Sequence, residues 1–254
     1  MDSFLSFKYR TNNYAAVLIE ADSLPDDTAV LLSDLPLALD HWRTAGLRSV
    51  WLEIPIQKAH LISAATSHGF EFHSTDPDAL TLTLKLAEDV NLPAGPTHQI
   101  ATGSVVINDK NELLVIVERA HAKTMPNFFK LPGGAVDPGE CLEEAAEREV
   151  WEETGVKARF EQLTMFRHWV NYRPNMSDIY FICRLTPLTS ALTPQASEID
   201  RALWMPLDEY LNHPDVSVFN KKIVELSLGN DGLKSGQFEG YDLNERTLEL
   251  FFKH

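Results

Sequence analysis

From residue 133 the chain reads Gly133-Gly134-Ala135-Val136-Asp137-Pro138-Gly139-Glu140, then Cys141-Leu142-Glu143-Glu144-Ala145-Ala146-Glu147, then Arg148-Glu149-Val150-Trp151-Glu152-Glu153-Thr154-Gly155-Val156. Three glycines permit a tight loop in which backbone can come close to a ligand, and Pro138 stiffens that loop just ahead of a helix over residues 142–153. On the helix Glu149, Glu152 and Glu153 stand at i, i+3 and i+4, so their carboxylates converge on one face. Like charges so placed repel by roughly a few tenths of a kcal/mol per pair on an exposed helix. With Asp137, Glu140, Glu143, Glu144 and Glu147 the stretch holds eight carboxylates, and Arg148 is its only base. Three acids gathered in this way call for a cation. Carboxylate oxygens favour Mg²⁺ or Mn²⁺ over zinc, and Mg²⁺ keeps positions open for water and phosphate oxygens. A solvated acidic face is the commoner reading of a Glu-rich helix, and it suits Glu143, Glu144 and Glu147. It does not suit Glu149, Glu152 and Glu153, where glycine loop, arginine and acids fall together at fixed spacing.

The rest of the sequence narrows the classes of function. Lys and Arg number 22 against 37 Asp and Glu, a formal charge of −15 that repels nucleic-acid backbones and anionic membranes. A small nucleotide substrate, its charge neutralised locally by metal, is the partner this balance allows. A hydrophobic content of 44% suits a globular chain with real cores, and no apolar run approaches the length needed to span a bilayer. Two cysteines, Cys141 and Cys183, form no metal-ligand spacing and no disulfide framework. With no signal-peptide pattern at the N-terminus, a cytoplasmic location is expected.

Pro93, Gly95 and Pro96 lie among polar residues and mark a linker at 93–98, between a small domain over 1–92 and a larger one over 99–228, with a tail over 229–254. In the first domain, strands are expected at 14–20 and 50–54 and helices after Asp26-Asp27 and over 57–68. Pro36 should kink or split the first of these helices. Runs 70–73 and 80–84 form a hairpin through Asp76-Pro77-Asp78. This small α/β order resembles an acetyltransferase-like core. Only Gly46 and Gly69 occur in the first 94 residues, however, so the glycine-rich loop for a coenzyme pyrophosphate is missing. A structural, dimerising or lid role is left. In the second domain, runs 100–107 and 112–119 read as paired strands around Asn108-Asp109-Lys110-Asn111. Strands 160–170 and 178–185 flank a polar loop, strand 203–206 precedes helix 207–212, and 247–252 can add an edge strand.

The spacing Gly134, five residues, Glu140, seven residues, Arg148-Glu149, aliphatic, any, Glu152-Glu153, any, Gly155, aliphatic resembles the box of the Nudix hydrolases at every specified position. Leu131-Pro132 before it, and Glu198-Ile199 and Trp204-Met205-Pro206-Leu207 after it, are also typical of that family. Val50-Trp51-Leu52-Glu53-Ile54-Pro55, His68-Gly69-Phe70 and the run 80–84 resemble the pre-Nudix domain of a subfamily whose plant members are similar to ADP-ribose and NADH pyrophosphatases. The resemblance implies an α/β/α sandwich with a mixed sheet and a homodimer. It also implies metal-dependent cleavage of a nucleoside diphosphate joined to another group, with a coenzyme A or nucleoside-triphosphate pyrophosphatase and a non-hydrolysing nucleotide-binding regulator as alternatives. The proline-rich signature of one NADH-selective group is absent after the box, which makes ADP-ribose the first choice. Carried onto this chain, Glu149, Glu152 and Glu153 ligate metal, with Gly134 beside them in contact with metal and substrate. Arg148 orients a box glutamate, and Glu140 ties loop to helix, with metal ligation as its second reading. The base is Glu152 or Glu198: Glu152 is favoured for metal, and Glu198 is a base, an additional ligand, or a plain surface acid. Arg119, Lys130 and Arg167 are candidates for phosphate. Phe129, with Phe128, Trp169 and Tyr172, is a candidate for stacking on a base, though core packing is the commoner fate of such rings.

Overall fold

The computed structural model describes residues 1–229, 231–237 and 248–253. They fall into two compact units, Met1–Pro96 and Thr97–His254.

The first unit opens with a hairpin that the sequence pattern does not announce, β1 (Asp2–Phe4) against β2 (Phe7–Thr11). It continues through β3 (Ala16–Ile19), α1 (Thr28–Thr44), β4 (Ser49–Pro55), α2 (Ile62–Ser67), β5 (Glu71–Thr75) and β6 (Ala79–Lys85). The sheet order is β1-β2-β3-β4-β6-β5, and only the pair bridged by α1, β3 with β4, is parallel. One face carries the core, in which Phe7, Val17 and Leu52 meet Leu31, Leu35 and Trp42 of α1. Asp27 caps α1 by accepting the Ala29 N–H at 2.8 Å. Contrary to expectation, α1 runs unbroken through Pro36. The carbonyl deprived of its partner belongs to Leu32, an exposed residue, so water can satisfy it. The second expected helix is part 3₁₀, over Ile56–Leu61, before α2 begins.

The second unit is a sandwich. Its elements are β7 (His98–Val106), β8 (Glu112–Glu118), α3 (Arg119–Ala122), α4 (Leu142–Thr154), β9 (Ala158–Arg173), β10 (Met176–Pro187), β11 (Ile199–Pro206), α5 (Leu207–Asn212), α6 (Val218–Gly229), β12 (Lys234–Ser235) and β13 (Phe251–Phe252). The expected pairing of β7 with β8 is wrong. Beyond a single bridge, Ile107 with Leu113, β7 lies parallel to β10 and β8 antiparallel to β11. The reason is double burial. Along both strands alternate side chains enter different cores: Val105, Val115 and Val117 face α5 and α6, while Val106 and Leu114 face α4. A two-stranded ribbon with one wet face would leave half of these residues exposed.

The loop expected at 171–177 is largely strand, since β9 and β10 form a long antiparallel hairpin turning at Pro174-Asn175. Helix α6 is not marked by a clean amphipathic pattern, since its apolar residues are spread around it and only Ile223 and Val224 among them are buried. Of the expected tail strand, Phe251 and Phe252 pair with Ser235 and Lys234, while Thr247 lies outside the described residues. Among the described residues no helix is long and apolar enough to cross a membrane.

Candidate active site

Helix α4 starts where the glycine loop ends. Its first N–H groups donate to a carboxylate from the far end of the chain: Leu142 N–H to Glu249 Oε2 at 2.6 Å and Glu143 N–H to Glu249 Oε1 at 3.2 Å. An anion there suits both the unpaired amides and the helix dipole. The helix ends on Gly155, whose φ of 76° is the left-handed conformation that closes a helix.

Arg148 organises the loop and the helix together. Its Nε and Nη2 grip Glu140 at 2.7 and 2.9 Å, its Nη1 reaches Glu149 at 2.8 Å and Glu152 at 3.1 Å, and Nη2 also meets the Ala135 carbonyl at 3.1 Å. Glu140 in turn accepts the Asp137 N–H at 3.0 Å, and the Arg148 guanidinium beside it holds its carboxyl below the usual range. Glu149 lies against the loop at Gly134, where a Cβ would stand 2.5 Å from its Oε1. A side chain at that position would push the Glu149 carboxylate from its place. Burial raises the Glu149 carboxyl; Arg148 opposes the shift, and the neighbouring Glu152 and Glu140 add to it. Glu153 is only 7% exposed and accepts the Gly133 N–H at 2.8 Å. Burial pushes its carboxyl up to about 8, the Gly133 N–H pulls it back, and the charge on Glu149 pushes it up again. Glu152 is the most open of the three and lines a cleft of about 540 Å³ with Trp151, Gly155, Thr193 and Gln195.

Burial thus raises the carboxyls of two of the three helix acids, and the hard-oxygen donor set of Glu149, Glu152 and Glu153 fits a divalent metal. Among the described residues no three His, Cys, Asp or Glu side chains already stand in a metal-holding arrangement. The Arg148 guanidinium fills the place of local cation between Glu149 and Glu152.

The other candidates fare differently. Lys130 is engaged by Glu118, whose other oxygen meets His121 Nδ1 at 2.8 Å. Burial works to raise Glu118, yet Lys130 and then His121 outweigh it and the net shift is downward. Both Glu118 and Lys130 act electrostatically on Glu153, so Glu118 belongs to the surroundings of the site. It lies at the end of a buried strand outside any motif, and no pattern in the sequence marks it. Arg119 turns its guanidinium to the Ile199 carbonyl at 3.3 Å, and the Glu198 carbonyl accepts the Arg119 N–H at 2.7 Å. Glu198 itself is exposed. Arg167 pairs with Asp178. Phe129 is corrected to a core residue, since only 6% of it is exposed and its ring packs edge-on to His213 and under Arg201. A base has no access to it. Glu144 and Glu147, expected to be solvated, accept the N–H groups of Cys141 and Phe160 at 3.5 and 2.8 Å, the first closing the helix N-terminus and the second tying mid-helix to β9.

The sequence has counterparts among known proteins. The NUDIX domain family matches residues 97–226, and a Nudix hydrolase domain family matches residues 7–86. Nudix hydrolase 7 of Arabidopsis thaliana is 36% identical over 216 residues, covering 84% of this chain and 74% of its own length. Nudix hydrolase 8 of the same plant is 34% identical across 85% of this chain, which spans only 59% of that relative. The mouse protein named Nucleoside diphosphate-linked moiety X motif 6 is 35% identical, over 89% of this chain and 74% of its own. Among solved structures, the MutT protein from Methanosarcina mazei Go1 aligns with a TM-score of 0.45 at 22% identity, over 54% of this chain and 97% of that one.

Proposed function

The chain belongs to the Nudix hydrolase family, and from that membership we propose that it hydrolyses the diphosphate bond of ADP-ribose, and of NADH second, releasing AMP and a phosphorylated product. The observation that carries this reading is the crowding of Glu149 and Glu153, both raised by burial, against a glycine turn in which the Glu149 carboxylate takes the space beside Gly134. The printed name of the mouse relative, a nucleoside diphosphate linked to a moiety X, supports the same class of bond.

Glu149, Glu152 and Glu153, with Gly134 beside them, would hold Mg²⁺ or Mn²⁺, and the ion would supply neutralisation of diphosphate charge and a more acidic water. Arg148, fixed by its twofold grip on Glu140, orients Glu149 and Glu152 and keeps their carboxylates together without the ion. Lys130, steadied by Glu118 within electrostatic reach of Glu153, offers positive charge to a phosphate. Glu152 serves the ion, while Glu198, exposed where the chain enters β11, takes the proton of the water or adds a ligand. Arg119, whose backbone N–H is bonded to the Glu198 carbonyl, offers a second positive charge to a phosphate. We include the homodimer in the same proposal, and sedimentation of the purified chain checks it.

Purified protein with Mg²⁺ and ADP-ribose should release AMP and ribose 5-phosphate, and chelation should stop it. Measurable nucleotide binding with no AMP released would instead identify a regulator. A panel adding NADH, coenzyme A, a diadenosine polyphosphate and oxidised dGTP ranks the substrates.

A further inference from the structure

Beside the helix carboxylates, on the α6 side of the sheet, one arginine is held in an unusual way. The Arg167 Nη2 donates to Asp178 Oδ2 at 2.6 Å, and Gln99 Nε2 donates to Asp178 Oδ1 at 2.8 Å. Asp178 is 2% exposed, so both its oxygens are spent on orienting these two side chains. Three rings surround the guanidinium: Trp169 at 5.0 Å, Tyr180 at 5.1 Å and Phe219 at 5.5 Å. The Arg167 Nε is buried and, among the described residues, has no hydrogen-bond partner. An arginine fixed by a buried acid, with a donor left unsatisfied, departs from the rule that buried donors are paired.

The rings differ in what they offer. Tyr180 packs against the core and forms a floor, while Trp169 and Phe219 are 50% and 41% exposed and stand open to solvent. The nest also adjoins the chemistry. The Tyr180 hydroxyl lies where a side chain at Gly103 would be, Gly103 packs against Gly133, and the Gly133 N–H is bonded to Glu153. Resting on the reading that this chain cleaves nucleotide-linked diphosphates, we propose that Arg167, Trp169 and Phe219 form the subsite for the purine base of the substrate, with Asp178 as the residue that positions Arg167. A purine stacks on the exposed parts of the Trp169 and Phe219 rings and turns N7, an acceptor in adenine as in guanine, toward the guanidinium donors. A pyrimidine offers less ring to stack and lacks that edge.

The test uses the full chain with Mg²⁺ and two substrates, ADP-ribose and UDP-glucose. The wild type should favour the adenine substrate in kcat/KM. Trp169→Ala removes a half-exposed ring and should lower kcat/KM for ADP-ribose at least about tenfold more than for UDP-glucose, in line with the worth of one base–aromatic stack. Asp178→Asn should raise KM for ADP-ribose with a smaller change in kcat, since it loosens Arg167 and leaves the helix acids in place. An unchanged ratio in Trp169→Ala, or a wild type that treats both substrates alike, overturns the subsite. If the wild type turns over neither substrate, the hydrolase reading fails separately. Calorimetric binding of AMP against UMP then decides: an AMP preference lost in Trp169→Ala supports the subsite, and equal or no binding overturns it.

Discussion

Helices α1 and α4 each lie on one face of a sheet, yet they bury opposite things. The hidden side of α1 is Leu31, Leu35, Ala38, Leu39 and Trp42, apolar throughout. Helix α4 hides Ala145, Ala146 and Val150 in the same manner, then continues with Glu153, a carboxyl that keeps its proton to about 8. Helix α1 buries only apolar side chains. Helix α4 gives part of its buried face to an acid, Glu153.

Substitutions can break or sharpen this contrast. The largest effect belongs to Glu152→Gln, which should lower turnover about a thousandfold or more while circular dichroism stays that of the parent. Activity within a few-fold of wild type would remove Glu152 from the proposed metal set. Next in size is Trp42→Ala, a cavity in the core under α1, with a loss of about 3–5 kcal/mol in urea denaturation. A loss under about 1 kcal/mol would mean that α1 is not the structural helix described.

The pH response of the metal-free protein separates the two helices further. The Glu153 carboxyl titrates near 8 when folded, above its ordinary 4.5, so folding takes up a proton. Its contribution is whole below about 4.5 and is lost as pH climbs through 8, on the order of a few kcal/mol at most. The Tm of chelated protein should therefore fall across that window, Mg²⁺ should restore it most at the alkaline end, and Glu153→Gln should flatten the fall. A Tm equally steep in Glu153→Gln would assign the slope to other groups. The smallest effect is that of Glu249→Gln, which weakens the anionic cap on α4 and should cost about 1 kcal/mol without changing the substrate ranking.

The sequence announces the site more fully than the fold. Glycine spacing and helical periodicity were enough to bring Gly134, Glu140, Arg148 and the three helix acids into one neighbourhood, because all lie within one loop and the helix that follows it. Sheet order was not legible in that way. β7 and β8 are neighbours in sequence with a turn-like tetrad between them, and only the alternation of their side chains between two cores explains why they separate. Glu118 and Phe219 reach the site from a strand end and from a weakly patterned helix, and their relevance depends on contacts far apart in the chain. Pro36 misled for a plain reason: the carbonyl that it orphans happens to face water.

One feature of the sheet also governs when the site can exist. Parallel strands β7 and β10 are joined by a crossover that carries β8, the glycine loop, α4 and β9. Helix α4 can form locally within about a microsecond, whereas β10 must come back from far along the chain before the loop has a strand to lie beside. In a refolding experiment, returning enzymatic activity should accordingly lag behind the helical signal and keep pace with closure of this crossover.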